Sequence, residues 1–188
     1  MKSMPHPEIN PYEQVRKRTR WEYYDYTLSG MYFVTFCTQD RQCFFGDIVD
    51  GVMHYSNQGS LAEALLTLIP TFNPVVEVVD YVVMPDHIHI LMAIHNDEAD
   101  QRNFEHRNEV DAPIKVVQKN SLSSIIGNYK GSITRHCHRQ NLPIEWQRGF
   151  YDHVVRNHEE MIGFQRYIDS NVPNWEVDRL KNPKGWAY

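Results

Sequence analysis

The chain has 188 residues, of which 41% are hydrophobic, so it can form one compact domain with an apolar core. It contains no run of about 18 apolar residues that could span a membrane, and residues 1–20 lack the apolar core of a secretory signal. Three cysteines without a CxxC pair argue against a disulfide framework, and the net charge of −5 does not by itself indicate a nucleic-acid-binding protein. We therefore expect a cytoplasmic protein without a membrane partner.

The first part of the chain predicts an arm, a strand and a helix. Residues 1–30 are polar and rich in proline and aromatic residues, and we expect them to form an N-terminal arm. Residues 31–39, MYFVTFCTQ, predict a strand because they are aromatic and β-branched. Residues 59–70 predict a helix that begins at Ser60 and ends at Pro70. Its apolar stripe has the 3.6-residue period of a helix and consists of Leu61, Ala64, Leu65 and Leu68.

Two strands are predicted next, at residues 75–84 (VVEVVDYVVM) and 87–94 (HIHILMAI). A turn from Met84 to His87 joins them, with Pro85 at the favoured second position. Residues 95–113 are acidic and aperiodic, which predicts a long loop.

The second half predicts helix, strand and helix. Ser121 caps a helix over residues 121–140, whose apolar stripe is Leu122, Ile125, Ile126, Tyr129 and Ile133. Residues 150–156 predict a strand, and residues 158–172 a helix with the stripe Met161, Phe164, Ile168 and Val172. The order β-α-β-β-α-β-α predicts an α+β fold, in which helices pack on a single antiparallel sheet. We expect this domain to span residues 31–175, followed by a polar tail at 176–188.

Charge is distributed unevenly along the chain. Residues 47–111 contain twelve acidic and two basic residues, whereas residues 113–156 contain seven basic and two acidic residues. A second basic cluster, RKRTR, spans Arg16 to Arg20. Such asymmetry can create a basic face on an acidic protein, although ordinary solvated surface is the alternative.

The sequence HIHIL places two histidines on one face of a strand. Because side chains alternate along a strand, His87, His89 and Leu91 point one way, and Ile88, Ile90 and Met92 point the other way. Neutral imidazole is a common metal ligand, and a spacing of about 6.5–7 Å along the strand lets both histidines reach one ion. The alternative is a pair of hydrogen-bonded histidines on a half-exposed strand.

The last helix carries two polar side chains one turn apart. Tyr167 and Asn171 are neighbours at i and i+4, and both flank the apolar stripe. Asn171 could complete a site for a divalent ion, and Tyr167 could act as a nucleophile. Alternatively, Tyr167 packs at the edge of the core and Asn171 caps the end of the helix. Tyr129, which shares a stripe with three isoleucines, and Tyr151, two residues before His153, are rival nucleophiles.

The chain resembles the single-tyrosine HUH transposases, the small insertion-sequence type and especially their REP-associated relatives. The resemblance covers residues 16–181, and its matching segments are YDYTLSGMYFVTFCTQDRQCFFG, VVMPDHIHILM, LSSIIGNYKGSITR, WQRGFYDHVVRN and RYIDSNVPNW. It implies a ferredoxin/RRM-like fold in which His87, His89 and Asn171 bind Mg²⁺ or Mn²⁺. Tyr167 would then attack single-stranded DNA, for which the resemblance implies a hairpin-forming substrate, and leave a 5′-phosphotyrosine linkage.

The basic residues are the predicted phosphate contacts of such an enzyme, which could be a monomer or a homodimer. The residues that we assign to DNA binding are Arg18, Arg20, Lys130, Arg135, Arg148 and His153. Two other functions stay open. One is a non-catalytic nucleic-acid-binding protein that stacks bases on exposed aromatic residues, and the other is a metal-dependent phosphoesterase that uses water and forms no covalent adduct.

Overall fold

The computed structural model describes residues 26–97 and 119–181, with side chains up to residue 177. Its centre is a four-stranded antiparallel sheet with the spatial order β4-β5-β1-β6. These strands are β1 (Gly30–Cys37), β4 (Val76–Val83), β5 (His87–Ile94) and β6 (Tyr151–Val155). A separate hairpin consists of β2 (Gly46–Val49) and β3 (Val52–Tyr55). The helices are α1 (Asn57–Thr67), α2 (Ile69–Phe72), α3 (Leu122–Arg139) and α4 (His158–Lys181).

The central sheet has helices on both faces. On one face Val34, Ile88 and Ile90 pack against α1 and α3 in the largest apolar cluster. On the other face Phe33 and Leu91 pack against Ile168 of α4. This arrangement confirms the predicted α+β class, and the order of the four strands and their connections is that of a β-α-β-β-α-β unit. It also places His87 and His89 on the face that α4 covers.

Two of the sequence predictions hold closely. The strand at 87–94 is β5 without any shift, and the turn at Pro85 joins it to β4 as an antiparallel neighbour. Ser121 caps α3, since its side chain accepts a hydrogen bond from the Ser124 backbone amide. All five residues of the predicted α3 stripe are buried.

The prediction for α1 was wrong in its boundaries and in half of its stripe. The cap is Ser56 rather than Ser60, because the Ser56 side chain accepts from the Gly59 amide. The buried apolar side chains are Ala62 and Leu66. Of the predicted stripe, Leu61 and Leu65 are partly buried against the core, whereas Ala64 and Leu68 are exposed. Pro70 does not end α1. It lies in the first turn of α2, where a missing backbone N–H costs nothing.

α4 continues beyond residue 172, where its apolar stripe predicted an end. It runs to Lys181 although Pro173 lies inside it, and Trp175 is buried against Ile48 and Met84. This packing extends the helix, since burial of a large aromatic ring outweighs the cost of one interior proline. The helix therefore continues past residue 175, the predicted end of the domain. The division of the chain into arm, domain and tail stays a prediction.

The β2–β3 hairpin was missed. Its two-residue turn is Asp50-Gly51, and both residues have positive φ, 51° and 73°, as a type I′ turn requires. Ile48 and Met53 are paired across the hairpin and face Trp175. The hairpin thereby supports the end of α4.

Several predicted segments lie outside the described residues. They are most of the arm with Arg18 and Arg20, and most of the loop predicted at 95–113. Among the helices that the structure describes, none has the length and apolar character needed to cross a membrane.

Two helical glycines should respond oppositely to substitution by alanine. A Cβ at Gly59 would lie directly against the backbone carbonyl of Phe45, whereas at Gly127 it meets nothing within 4 Å. We expect Gly59→Ala to lower the free energy of unfolding by about 1–3 kcal/mol through overpacking. Gly127→Ala should raise it by about 0.5–1 kcal/mol, since alanine is the better helix former. Urea unfolding measures both, and equal effects of the two changes would contradict this packing.

Candidate functional site

The two histidines of β5 converge on one point at the end of the sheet. The Nε2 atoms of His87 and His89 are 3.0 Å apart, and both side chains are buried. In the register between β5 and β1, His87 lies opposite Cys37 and His89 opposite Thr35. The predicted shared face is therefore observed.

A neighbouring side chain orients each imidazole through its other nitrogen. Asp86 Oδ1 lies 2.6 Å from His87 Nδ1, and Thr35 Oγ1 lies 2.7 Å from His89 Nδ1. A carboxylate can only accept, so His87 carries its proton on Nδ1 and presents the lone pair of Nε2. Contacts of this kind orient metal-binding histidines and make them more basic ligands.

Burial also controls the charge of the pair. It lowers the pKa of His87, partly opposed by the hydrogen bond and the charge of Asp86. It lowers the pKa of His89 well below the usual value, and the neighbouring His87 adds to this effect. A lowered imidazole pKa favours the neutral form at neutral pH, which is the form that binds a metal.

α4 supplies the remaining two side chains. Asn171 is buried, and its Nδ2 donates to the backbone carbonyl of Tyr167 at 2.6 Å, which leaves the amide oxygen for the imidazoles. The Tyr167 hydroxyl lies 3.4 Å from His89 Nε2. The alternative in which Asn171 caps the end of the helix was wrong, because α4 continues for ten residues beyond it.

Aromatic rings hold Tyr167 beside the histidines. Phe33 of β1 stacks on Phe164 of α4 with centroids 4.3 Å apart, and on His89 at 5.3 Å. The Tyr167 ring meets Phe33 edge-on at 5.9 Å and His89 at 5.1 Å. The ring therefore packs at the edge of the core while its hydroxyl reaches the site.

The donor set fits a divalent ion. Two ligands at right angles on an octahedral ion, each at about 2.1 Å, lie about 3.0 Å apart, which matches the two Nε2 atoms. The same separation also fits a hydrogen bond between the two imidazoles, so the alternative of a hydrogen-bonded pair stays open, on a strand that is buried rather than half-exposed. Within the described ranges no cluster of three or more His, Cys, Asp or Glu side chains is arranged for a metal, so a site here depends on the amide oxygen of Asn171. The amide oxygen is a ligand type of Mg²⁺ and Mn²⁺, whereas imidazole is more typical of Zn²⁺, Cu²⁺, Fe²⁺ and Ni²⁺, so the donors alone do not select one ion.

The rival tyrosines have other surroundings. Tyr129 lies on the opposite face of the sheet, where its hydroxyl donates to the carbonyl of Ala62 at 2.7 Å and burial raises its pKa well above the usual value. Tyr151 shares the sheet face of the histidines, opposite Thr35, but it is buried in the Phe33 cluster. Burial, followed by the charge of Asp152, raises the pKa of Tyr151.

Lys130 has a structural role in the observed fold. Its ammonium donates to the backbone carbonyls of Gln147 and Gly149, at 3.0 and 3.1 Å, and lies 5.1 Å from the centre of the Trp146 ring. Burial lowers the pKa of Lys130. Its predicted phosphate contact is untested, while the observed contacts hold the loop that contains Arg148.

The other predicted DNA contacts are divided between two faces. Arg148 is exposed in a loop whose Gln147 amide donates to the carbonyl of Cys37, next to the histidine site. His153 lies on β6 on the site's face, paired with Glu160 at 3.2 Å. Arg135 is exposed on α3 and donates to Ser132, on the opposite side of the sheet. The structure does not bring Arg135 to the histidines.

Sequence reasoning missed four residues that touch the site. Asp86 precedes His87 directly and could have been found from that position. Thr35 reaches the site through the pairing of β1 with β5, and Arg41 reaches it from the turn after β1; no local pattern reveals either. Trp175, whose ring stacks on His87 with centroids 6.2 Å apart, was assigned to the end of the domain without a role.

Comparisons with known proteins agree with this fold. No family model matches the chain. A Haemophilus influenzae protein described only as uncharacterized is 26% identical over 166 residues, which cover 88% of this chain and 92% of that protein. Among solved structures, a REP-associated tyrosine transposase bound to a REP hairpin has a TM-score of 0.54 at 18% identity, over 92% of each chain. At that identity the likeness shows a shared fold.

Proposed function

We propose that the protein cleaves and rejoins single-stranded DNA through a covalent bond to Tyr167. The observation that carries this proposal is the convergence of His87, His89 and Asn171 with a tyrosine hydroxyl 3.4 Å from one imidazole nitrogen. The proposed substrate is hairpin-forming DNA, because the solved transposase of the same fold is bound to a hairpin.

The proposed reaction conserves the phosphodiester bond energy. The Tyr167 oxygen attacks phosphorus and loses its proton, the bond from phosphorus to the 3′ oxygen breaks, and that oxygen takes up a proton. The products are a 5′-phosphotyrosine and a free 3′-hydroxyl. Attack by a 3′-hydroxyl on the phosphotyrosine reverses the step and joins strands, so no nucleotide cofactor is required.

The protein's own residues place the reacting groups. His87, His89 and Asn171 would hold Mg²⁺ or Mn²⁺, which when bound would offset charge on the scissile phosphate. Asp86 and Thr35 orient the two imidazoles, and Phe33 fixes the Tyr167 ring. Trp175 covers His87 on the side of the β2–β3 hairpin, which limits the access of water there.

A denaturing gel tests the proposal. The protein is incubated with labelled single-stranded hairpins and Mn²⁺, and a labelled band at the size of protein plus DNA is expected. Cleavage without any covalent band would support the water-dependent phosphoesterase instead. DNA binding without cleavage, across a panel of hairpins and both metals, would support the non-catalytic alternative.

The basic residues should make DNA binding depend steeply on salt. We assume that four arginines each neutralise one phosphate: Arg18, Arg20, Arg135 and Arg148. Each such contact adds about 0.7 to the slope of log affinity against log salt concentration, so affinity should fall roughly 50-fold between 50 and 200 mM salt. Binding titrations at several salt concentrations measure the slope. A flat dependence would exclude a phosphate-contacting face.

The same assay separates the contributions of the two sheet faces to DNA binding. Arg148→Gln should reduce the salt slope by about 0.7 if the strand passes the histidine end of the sheet. Arg135→Gln should do so only if DNA also contacts α3. Arg166→Gln, an exposed charge on α4, is the matched control and should leave the slope unchanged.

A further inference from the structure

The turn after β1 brings a partly buried arginine head group to the histidine site. Arg41 Nε lies 3.0 Å from Asp86 Oδ2, and its Nη1 donates to Cys37 Sγ at 2.8 Å. The remaining Nη2 lies 3.4 Å from His87 Nδ1. The side chain is 20% exposed, so these contacts are largely shielded from water.

The backbone of this turn is strained and firmly held. Asp40 and Arg41 have φ values of 51° and 56°, an uncommon conformation for residues other than glycine. The Thr38 amide donates to the Asp86 carbonyl at 3.0 Å, its hydroxyl lies 2.9 Å from that carbonyl, and the Gln39 amide donates to the Glu145 carbonyl at 2.9 Å. Such strain persists only where the surroundings impose it, and here the bonds of Thr38 and Gln39 fix the start of the turn that places Arg41 beside Asp86.

Asp86 needs a partner because it is buried at 6% exposure. One of its oxygens faces the Nδ1–H of His87 and the other faces Arg41. A buried carboxylate is costly unless it is paired, and an ion pair on one oxygen together with the hydrogen bond on the other limits the rotation of its plane. The direction of the His87 ring therefore depends on Arg41 through Asp86.

We propose that Arg41 is a positioning residue for the metal site: it holds Asp86 in the orientation that keeps the His87 proton on Nδ1 and its Nε2 free for the ion. This inference rests on the proposed function, because it assumes that His87 is a ligand. Arg41 itself is not a ligand, and it acts through one intervening carboxylate.

Calorimetric titration of the full-length chain with Mn²⁺ tests this role. Loss of a group that orients a metal-binding histidine costs about 10–100-fold in metal affinity, and we expect Arg41→Gln to weaken Mn²⁺ binding on the order of 10-fold. Arg41→Lys keeps the charge but loses the fork of donors, so an intermediate affinity is expected. Arg166→Gln removes one exposed positive charge from α4 and should match the wild type.

A double-mutant cycle separates positioning from general destabilisation. If Arg41 acts through Asp86, Arg41→Gln should have no further effect on Mn²⁺ affinity in an Asp86→Ala background. Nitrogen-15 NMR of metal-free protein should show His87 protonated on Nδ1 in the wild type and a mixture of tautomers in Arg41→Gln. Circular dichroism checks that each variant is folded. If Arg41→Gln does not fold, Arg41→Lys replaces it in the cycle.

The possible failures are distinguishable. Wild-type affinity in Arg41→Gln, or an equal loss with and without Asp86, would overturn the role of Arg41 and leave the metal site intact. Absence of Mn²⁺ binding in the wild type would overturn the metal site of the proposed function, and the inference with it.

Discussion

Tyr167→Phe should abolish the covalent protein–DNA adduct while fold, Mn²⁺ binding and DNA binding remain. The change removes one oxygen from a ring that packs against Phe33 and His89, so the expected stability loss is under about 1 kcal/mol. A phenyl ring cannot form a phosphotyrosine bond, so the loss of cleavage should be complete rather than partial. The denaturing gel with labelled hairpins measures it.

The rival tyrosines provide matched controls. Tyr129→Phe removes a buried hydroxyl that donates to Ala62, and it should cost about 1 kcal/mol of stability without loss of cleavage. Tyr151→Phe tests the buried tyrosine on the site's own face. Mass spectrometry of the trapped adduct should place the nucleotide on the peptide that contains YIDSN. A nucleotide on Tyr151 or Tyr129, or full activity of Tyr167→Phe, would show that the nucleophile is misassigned.

The double change His87→Ala and His89→Ala should eliminate Mn²⁺ binding. Removal of a group that only orients a ligand costs about 10–100-fold, so removal of two proposed ligands should exceed about 100-fold. Calorimetry measures the affinity, and cleavage should disappear with it. Equal Mn²⁺ affinity in the wild type and the variant would exclude the site.

The control for this change replaces two histidines that lie outside the site. His54 on β3 and His138 on α3 are both exposed. Their combined replacement by alanine should leave Mn²⁺ affinity unchanged. A similar loss in this control would show that binding is non-specific to surface imidazoles.

The strand that carries the histidines was predictable because its pattern is local. The apolar run, the Pro85 turn and the alternation of side chains determine which face His87 and His89 share. The position of Tyr167 and Asn171 one turn apart likewise follows from helix geometry. That α4 covers the histidine face rather than the opposite one depends on long-range packing of Phe33, Phe164 and Ile168, which the sequence alone does not show.

The missed elements have two kinds of cause. The hairpin at Asp50-Gly51 carried a readable turn signal. Its strands are four residues each, and Val49 and Val52 beside the turn are exposed, so the apolar pattern was weak. Arg41 could not have been found from the sequence, since the turn that carries it is joined to distant Asp86 and Glu145 through the Thr38 and Gln39 amides. The α1 boundary shifted because a cap bond at Ser56 outweighed the apolar period.

Tyr167 and Asn171 lie one turn apart on α4, and the hydrogen bond from the Asn171 amide to the Tyr167 carbonyl ties the Asn171 side chain to the backbone of Tyr167. The two residues therefore move together. A rotation or shift of α4 that carries the tyrosine outward must carry the amide oxygen outward as well. If a DNA strand becomes attached to that tyrosine and pulls it from the sheet, the proposed three-residue ligand set would be broken at the same moment. Strand transfer would then be possible only while the attached strand lies against β5. A phosphotyrosine that has moved away from β5 could not react back with the 3′-hydroxyl.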